Sequence, residues 1–117
     1  MITAPHREER PWGSFTILHT GPGYQIKQIT VKAGQRFSYQ YHQQRAEHWF
    51  VVQGSATVTL EGQEFSLEAG QNIDVPVGAK HRLGSAADED VVFIEVQVGE
   101  YLGEDDIVRL EDDYQRV

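Results

Sequence analysis

The chain has 117 residues, ten Lys and Arg against eighteen Asp and Glu for a net charge of −8, and no cysteine. That length fits one domain with a modest core, and the acidic balance argues against nucleic acid or anionic membrane surfaces as partners. The missing thiols exclude disulfides and thiolate metal sites.

Taken in chain order, the opening MITAPHREERPW lacks the apolar stretch of a secretory leader. No later segment approaches the roughly eighteen apolar residues that cross a bilayer, so a cytoplasmic protein is expected. His6 and His19 have no acidic or histidine neighbour at ligand spacing and read as ordinary surface residues in loops. Alternating runs then follow at Tyr24 to Val31, Arg36 to His42, His48 to Val52, Ala56 to Leu60, Glu64 to Leu67, Asn72 to Val75, Lys80 to Leu83 and Val91 to Val98. Glycine, proline or acidic turns separate them, the pattern of an antiparallel all-β sandwich or barrel. Glu61-Gly62 reads as a tight hairpin turn. Helix is limited to a turn near Glu104 to Leu110, where acids favour a helix start. The tail from Glu104 is acidic, yet Ile107, Val108, Leu110 and Tyr114 give it apolar residues to dock, so a short ordered tail is expected.

Two glycine-bounded segments hold the chemistry-bearing residues: Gly34 to Gly54, GQRFSYQYHQQRAEHWFVVQG, and Gly70 to His81, GQNIDVPVGAKH. Gln40 and His42, two apart, share one face of an extended strand. Glu47 follows five residues later, and His81 comes after the turn residues Pro76, Val77 and Gly78. An amide oxygen, two imidazoles and a carboxylate suit a divalent ion such as zinc, manganese, iron or nickel. The plainer alternative is a hydrogen-bond network of half-buried polar residues.

The spacing resembles that of the cupins. Gly34, Gln40, His42, Glu47 and Gly54 match motif 1 (34–54), and Gly70, Pro76, Gly78 and His81 match motif 2 (70–85). Gln40 stands where the first His is usual and Ser85 where an Asn is usual. Gln-x-His is similar to mannose-6-phosphate isomerases. Arg10-Pro11-Trp12-Gly13, Arg45-Ala46-Glu47-His48-Trp49, Lys80-His81-Arg82 and the stretch Glu95 to Arg116 resemble the cupin domain of the bifunctional guanylyltransferase type. Gln43 and Gln44 replace positions that are often His there. The likeness spans about residues 10 to 116. The large nucleotidyltransferase domain of those proteins has no counterpart in this sequence, nor is there a glycine-rich nucleotide loop, so guanylyltransferase activity is not expected.

The resemblance implies a single cupin domain over residues 1–117, a double-stranded β-helix or jelly-roll barrel. It also implies zinc or another divalent metal on Gln40, His42, Glu47 and His81, in an isomerase interconverting mannose 6-phosphate and fructose 6-phosphate for GDP-mannose biosynthesis. Such chemistry needs a base for the carbon-bound proton and cations for the phosphate. Glu95, sharing strand parity with Phe93 and Gln97, and Lys80 beside His81 are the catalytic candidates. Arg36, Arg45 and Ser38 are the substrate-binding candidates, since guanidinium binds phosphate oxygens in a bidentate way. His48, on the parity opposite Glu47, is expected to point outward. Parity with Gln40 would send Arg36 and Ser38 inward and leave Phe37, Tyr39 and Tyr41 outside, to be covered by a second chain in a homodimer or by the terminal segments. Two other readings fit: a non-haem iron oxygenase using His42, Glu47 and His81 as a facial triad, and a non-catalytic sugar- or metabolite-binding cupin.

Overall fold

A computed structural model describes residues 5–86 and 88–116. Part of the opening segment from which the absence of a leader is expected therefore lies outside the described residues. Among the described residues eleven strands form: β1 (His6–Arg10), β2 (Gly13–Gly21), β3 (Tyr24–Val31), β4 (Tyr39–Tyr41), β5 (Arg45–Gln53), β6 (Ser55–Leu60), β7 (Gln63–Glu68), β8 (Asn72–Val75), β9 (His81–Ser85), β10 (Val91–Gly99) and β11 (Val108–Glu111). They make a six-stranded sheet, β1-β2-β3-β10-β5-β8, and a five-stranded sheet, β11-β4-β9-β6-β7. All pairings are antiparallel, in a jelly roll. The core between the sheets takes Phe15, Ile17, Val31, Trp49, Val51, Val91 and Phe93 from the larger one and Ala56, Val58, Leu67 and Leu83 from the smaller.

Along β3, β10 and β5 the inward residues change character in register. One row joins Ile29, Phe93 and Val51, the next Lys27, Glu95 and Trp49, and the next Gln25, Gln97 and Glu47. One end of the sandwich is thus an apolar plug and the other a polar chamber.

The strands expected from Tyr24 onward form. Glu61 and Gly62, at φ of 49° and 79°, make the two-residue β6–β7 turn that the sequence suggests. β1 and β2 have no counterpart among the expected strands. HREER is polar on both of its alternating faces, and GSFTILHTG begins with three buried residues that continue from buried Trp12, so neither shows an apolar period of two. His6 and His19 consequently lie on strands rather than loops, where they hydrogen-bond to Glu8 and to the Tyr24 hydroxyl.

Two further expectations are corrected. The stretch from Arg36 leaves strand geometry before Tyr39, which breaks the parity rule: Arg36 is exposed, whereas Phe37 is buried against Trp12 and Trp49 at ring distances of 5.7 and 5.9 Å. Buried Arg82 stabilises this irregular segment by donating to the Phe37 and Glu111 carbonyls. Tyr39 and Tyr41 are half-buried; the chain's own tail pairs with the edge of their strand through β11, and the Tyr39 hydroxyl accepts from Gly62 in the β6–β7 turn. The helical turn expected over 104–110 is this strand, preceded by a turn at Glu104–Asp105. Asp106 explains the difference: its carboxylate accepts from the Gln43 and Gln44 amides, which holds the chain extended along β4. The ordered tail is therefore present, with Tyr114 packed on the core and its hydroxyl bonded to Gln35.

Candidate metal centre

His42, Glu47 and His81 are all buried, and one ligand atom from each lies within 4.8 Å of the others. Three pieces of backbone bring them together. Gln40 pairs with His81 across β4 and β9, Glu47 pairs with Val75 ahead of the second motif's turn, and Gly78 donates to the His42 carbonyl at 2.9 Å.

Both imidazoles are oriented from behind. His42 Nδ1 donates to the Asp106 carbonyl and His81 Nδ1 to the Ala79 carbonyl. Each ring therefore presents a bare Nε2 lone pair to the chamber, the arrangement a metal-bound histidine needs. His42 Nε2 lies 3.2 Å from Glu47 Oε2 and His81 Nε2 lies 3.8 Å from Glu47 Oε1. Acceptors at such distances repel unless a cation sits among them. Arg45 bridges the first pair, with Nε 2.9 Å from Glu47 Oε2 and a terminal nitrogen 3.2 Å from His42 Nε2. His81 Nε2 stays buried with no hydrogen-bond partner. An orphaned lone pair beside a carboxylate and a second lone pair is a donor set that fits a divalent ion.

Gln40 lies beside this set, its amide nitrogen 3.4 Å from His42 Nε2 and its oxygen accepting from Ser38 Oγ at 2.5 Å. A rotation of the amide by half a turn brings the oxygen toward the set, and Ser38 Oγ then accepts from the amide nitrogen. Ser38 is fully buried and acts on Gln40 rather than on the open cleft.

Glu47 and Glu95 share one donor, the Trp49 indole, at 2.9 and 3.0 Å, and Gln97 donates to the other Glu95 oxygen. For Glu47, burial pushes the pKa up, but hydrogen bonding within the buried cluster, with Glu95 among the partners, and the charge of the Arg45 guanidinium outweigh it and hold the carboxylate well below its ordinary range. Glu95 goes the other way. Burial first, then the Glu47 charge, raise it well above the ordinary value against the opposing pull of Arg45 and Lys27. One carboxylate is kept ionised for a cation and its neighbour is kept able to hold a proton. His81 is lowered, chiefly by burial, which keeps its imidazole neutral for ligation.

The set lies at the edge of a cleft of about 530 Å³, counting its open mouth, that Gln40, Arg45, Glu47 and Glu95 help to line. Five cationic residues face it, Arg10, Lys27, Arg45, Arg109 and Arg116, against three acids, Glu47, Glu95 and Glu104. A chain of net charge −8 thus carries a locally basic cleft. Sequence reading finds Arg45 and Glu95 there. Arg36 is outside, its exposed guanidinium paired with Asp113 at 2.7 Å. Lys80 is exposed beside the β6–β7 turn, where its backbone nitrogen donates to Glu61, and it is absent from the cleft lining. His48 points outward to Asp74 as expected. Lys27, Glu104, Asp106 and Arg109 have no signal in the two motifs; only strand parity with Gln25 and Ile29 marks Lys27, and the tail acids read as a solvated block.

A jelly roll whose polar end gathers two histidines, a glutamate and a glutamine at this spacing defines a cupin. The fold likeness extends to the cupin domain of Schizosaccharomyces pombe Cnp3, at a TM-score of 0.71 and 17% identity over 74% of this chain and 64% of that one. It extends also to the capsular polysaccharide assembling protein CapF from Staphylococcus aureus, at 0.79 and 24% identity over 91% of this chain and 34% of that one. Within the class, the chain belongs to the family described as mannose-6-phosphate isomerase C-terminal, whose profile matches residues 2–112. Similar curated proteins include the alginate biosynthesis protein AlgA of Pseudomonas aeruginosa, 50% identical over 92% of this chain and 22% of that protein. Another is the mannose-1-phosphate guanylyltransferase ManC of Salmonella typhimurium, 48% identical over 96% and 24%. The chain thus spans about a quarter of the length of the curated relatives it matches.

Proposed function

We propose that this cupin is a metal-dependent aldose–ketose isomerase acting on mannose 6-phosphate and fructose 6-phosphate, in the supply of GDP-mannose. The observation that carries the reading is the orphaned His81 Nε2, converging with His42 and Glu47 at the edge of a cation-rich cleft. His42, Glu47 and His81 would hold the ion, with Gln40 as fourth ligand and zinc as the first choice for this oxygen and nitrogen set. When bound, the ion supplies Lewis-acid stabilisation of negative charge on a carbonyl or hydroxyl oxygen without redox change.

The chain's own residues do the rest. Of the two cleft carboxyls outside the ligand set, Glu104 is paired with Lys27 and Arg45, and Glu95 is in no ion pair among the described residues. Glu95 takes the proton from C2 of the aldose and returns it to C1 while the hydroxyl proton passes from O2 to O1, which gives the ketose, and the same steps run in reverse. The Trp49 indole and Gln97 amide fix its two oxygens, so the carboxyl keeps one orientation through both transfers. Arg45 orients the site, since one of its nitrogens reaches Glu104 at 3.5 Å while the others hold Glu47 and His42. A homodimer would use the outer face of the larger sheet, where Phe50, Val52 and Val98 are exposed.

A coupled assay on purified, metal-loaded protein tests the reading. Turnover of mannose 6-phosphate that is lost on chelation supports it. No turnover, with the metal still bound, rejects the isomerase, and iron with oxygen uptake in its place would point to an oxygenase.

A further inference from the structure

Four of the five cationic residues facing the cleft already have an anionic partner. Arg10 bonds Glu8 at 2.7 Å, Lys27 bonds Glu104 at 2.5 Å, Arg45 bonds Glu47 at 2.9 Å and Arg116 bonds Asp112 at 2.6 Å. Arg109 is the exception. Among the described residues no hydrogen bond or ion pair reaches its guanidinium, and its Nε is buried with no partner. A half-buried guanidinium with one nitrogen shut off from water and no counter-ion is unfavourable. Here burial, followed by the charges of Arg116 and Arg10, pulls its pKa below the ordinary arginine value, and Asp112 and Glu104 oppose this only in part. Neither acid is free to pair with it. Asp112 accepts from the Arg116 guanidinium and backbone nitrogen and from Tyr114, and Glu104 accepts from Lys27 and Arg45. The mouth of the cleft therefore has three guanidiniums and lacks one anion.

We propose that Arg109, flanked by Arg10 and Arg116, is the subsite for the phosphate group of the substrate. A phosphate monoester offers oxygens that the unpartnered Arg109 guanidinium can bind in a bidentate way, and the charges of Arg10 and Arg116, which also line the cleft, favour an anion there. The strand order places this subsite suitably. Arg109 pairs with Gln40 and Gln40 with His81, so two strand spacings, on the order of 10 Å between backbones, separate the anion anchor from the metal-facing histidine. That span is on the scale of an open-chain hexose phosphate with its carbonyl end toward the ligand set. The choice of phosphate rests on the isomerase reading; the missing anion does not.

Calorimetric titration of the metal-loaded full chain with inorganic phosphate, mannose 6-phosphate, mannose and mannuronate tests the proposal. The wild type is expected to bind phosphate and the phosphosugar. Arg109→Met should weaken both by roughly 10- to 100-fold, the loss of a charge-assisted contact, with metal content unchanged and a melting temperature at or above wild type because like-charge repulsion is relieved. Arg109→Lys should recover part of the binding, and Arg7→Gln, which removes an exposed charge paired with Glu9, should change nothing. Unaltered phosphate binding in Arg109→Met overturns the subsite, and Arg109-dependent binding of mannuronate alone overturns the choice of phosphate. Should Arg109→Met fail to fold, Arg109→Lys decides: a raised KM with kcat retained supports the subsite, and an unchanged KM rejects it. Arg109-dependent phosphate binding without turnover keeps the subsite and rejects the isomerase. Turnover with an unchanged KM in the variant does the reverse.

Discussion

Replacing Trp49 by Phe isolates the hydrogen bond on which the two buried carboxylates depend. The indole is fully buried, and its one N–H is shared between Glu47 Oε1 and Glu95 Oε1 at 2.9 and 3.0 Å. Phenylalanine keeps the ring contacts with Phe37 and Phe93, whose centroids lie 5.9 and 5.4 Å away, but offers no donor. Loss of a donor to a buried charged group costs about 2–3 kcal/mol, and the smaller ring leaves a void worth about another 1 kcal/mol. The metal-free variant should therefore be destabilised by roughly 3–4 kcal/mol, which size scaling converts to a Tm lower by about 10–20 °C. Urea unfolding followed by far-ultraviolet circular dichroism is the assay, since Trp fluorescence would report only Trp12 in the variant. Saturating metal should stabilise both proteins by mass action. A destabilisation below about 1 kcal/mol would refute the reasoning, because it would mean that the carboxylates find water or other donors at no cost.

Gly54→Ala should destabilise by about 2–4 kcal/mol in the same unfolding experiment, because the residue has φ of 86° and an added Cβ would lie 2.5 Å from the Asp90 carbonyl oxygen. The tail clasp should be acid-sensitive. Asp112, held down to about 2 chiefly by Arg116, contributes stability present above its unfolded value near 3.8 and lost as pH falls through 2. The protection factor of the Arg116 amide, relative to intrinsic exchange at each pH, should fall over that window by a factor equivalent to about 1–2 kcal/mol, and a pH-independent protection factor would contradict the assignment. His48→Asn should leave metal content unchanged, since His48 faces Asp74 on the outside; metal loss would make it a ligand.

Eight of the strands could be read from the sequence because they depend on local spacing, with glycine-bounded turns setting their ends. The cluster of His42, Glu47 and His81 was legible for a different reason: a five-residue interval joins the first two, and only the resemblance to a two-motif family brings in His81. Parity failed at Arg36 and Phe37, where the chain is not a strand and Arg82, a residue distant in sequence, satisfies its backbone. Lys27 and Arg109 were hidden for a related reason. Each reaches the cleft through a pairing, β3 with β10 or β11 with β4, that no short-range pattern announces. Asp106 lay within an acidic run that composition alone marks as solvated, yet it orients His42 and anchors the tail.

The central claim is that His42, Glu47 and His81 hold one divalent ion. Competition against a chromophoric chelator, on the wild type and on His81→Ala, tests it most directly. The account predicts one equivalent of tightly bound metal in the wild type and affinity lower by at least about 100-fold in the variant, with the fold intact by circular dichroism. Equal affinity in the two proteins, or no stoichiometric binding in either, would contradict it.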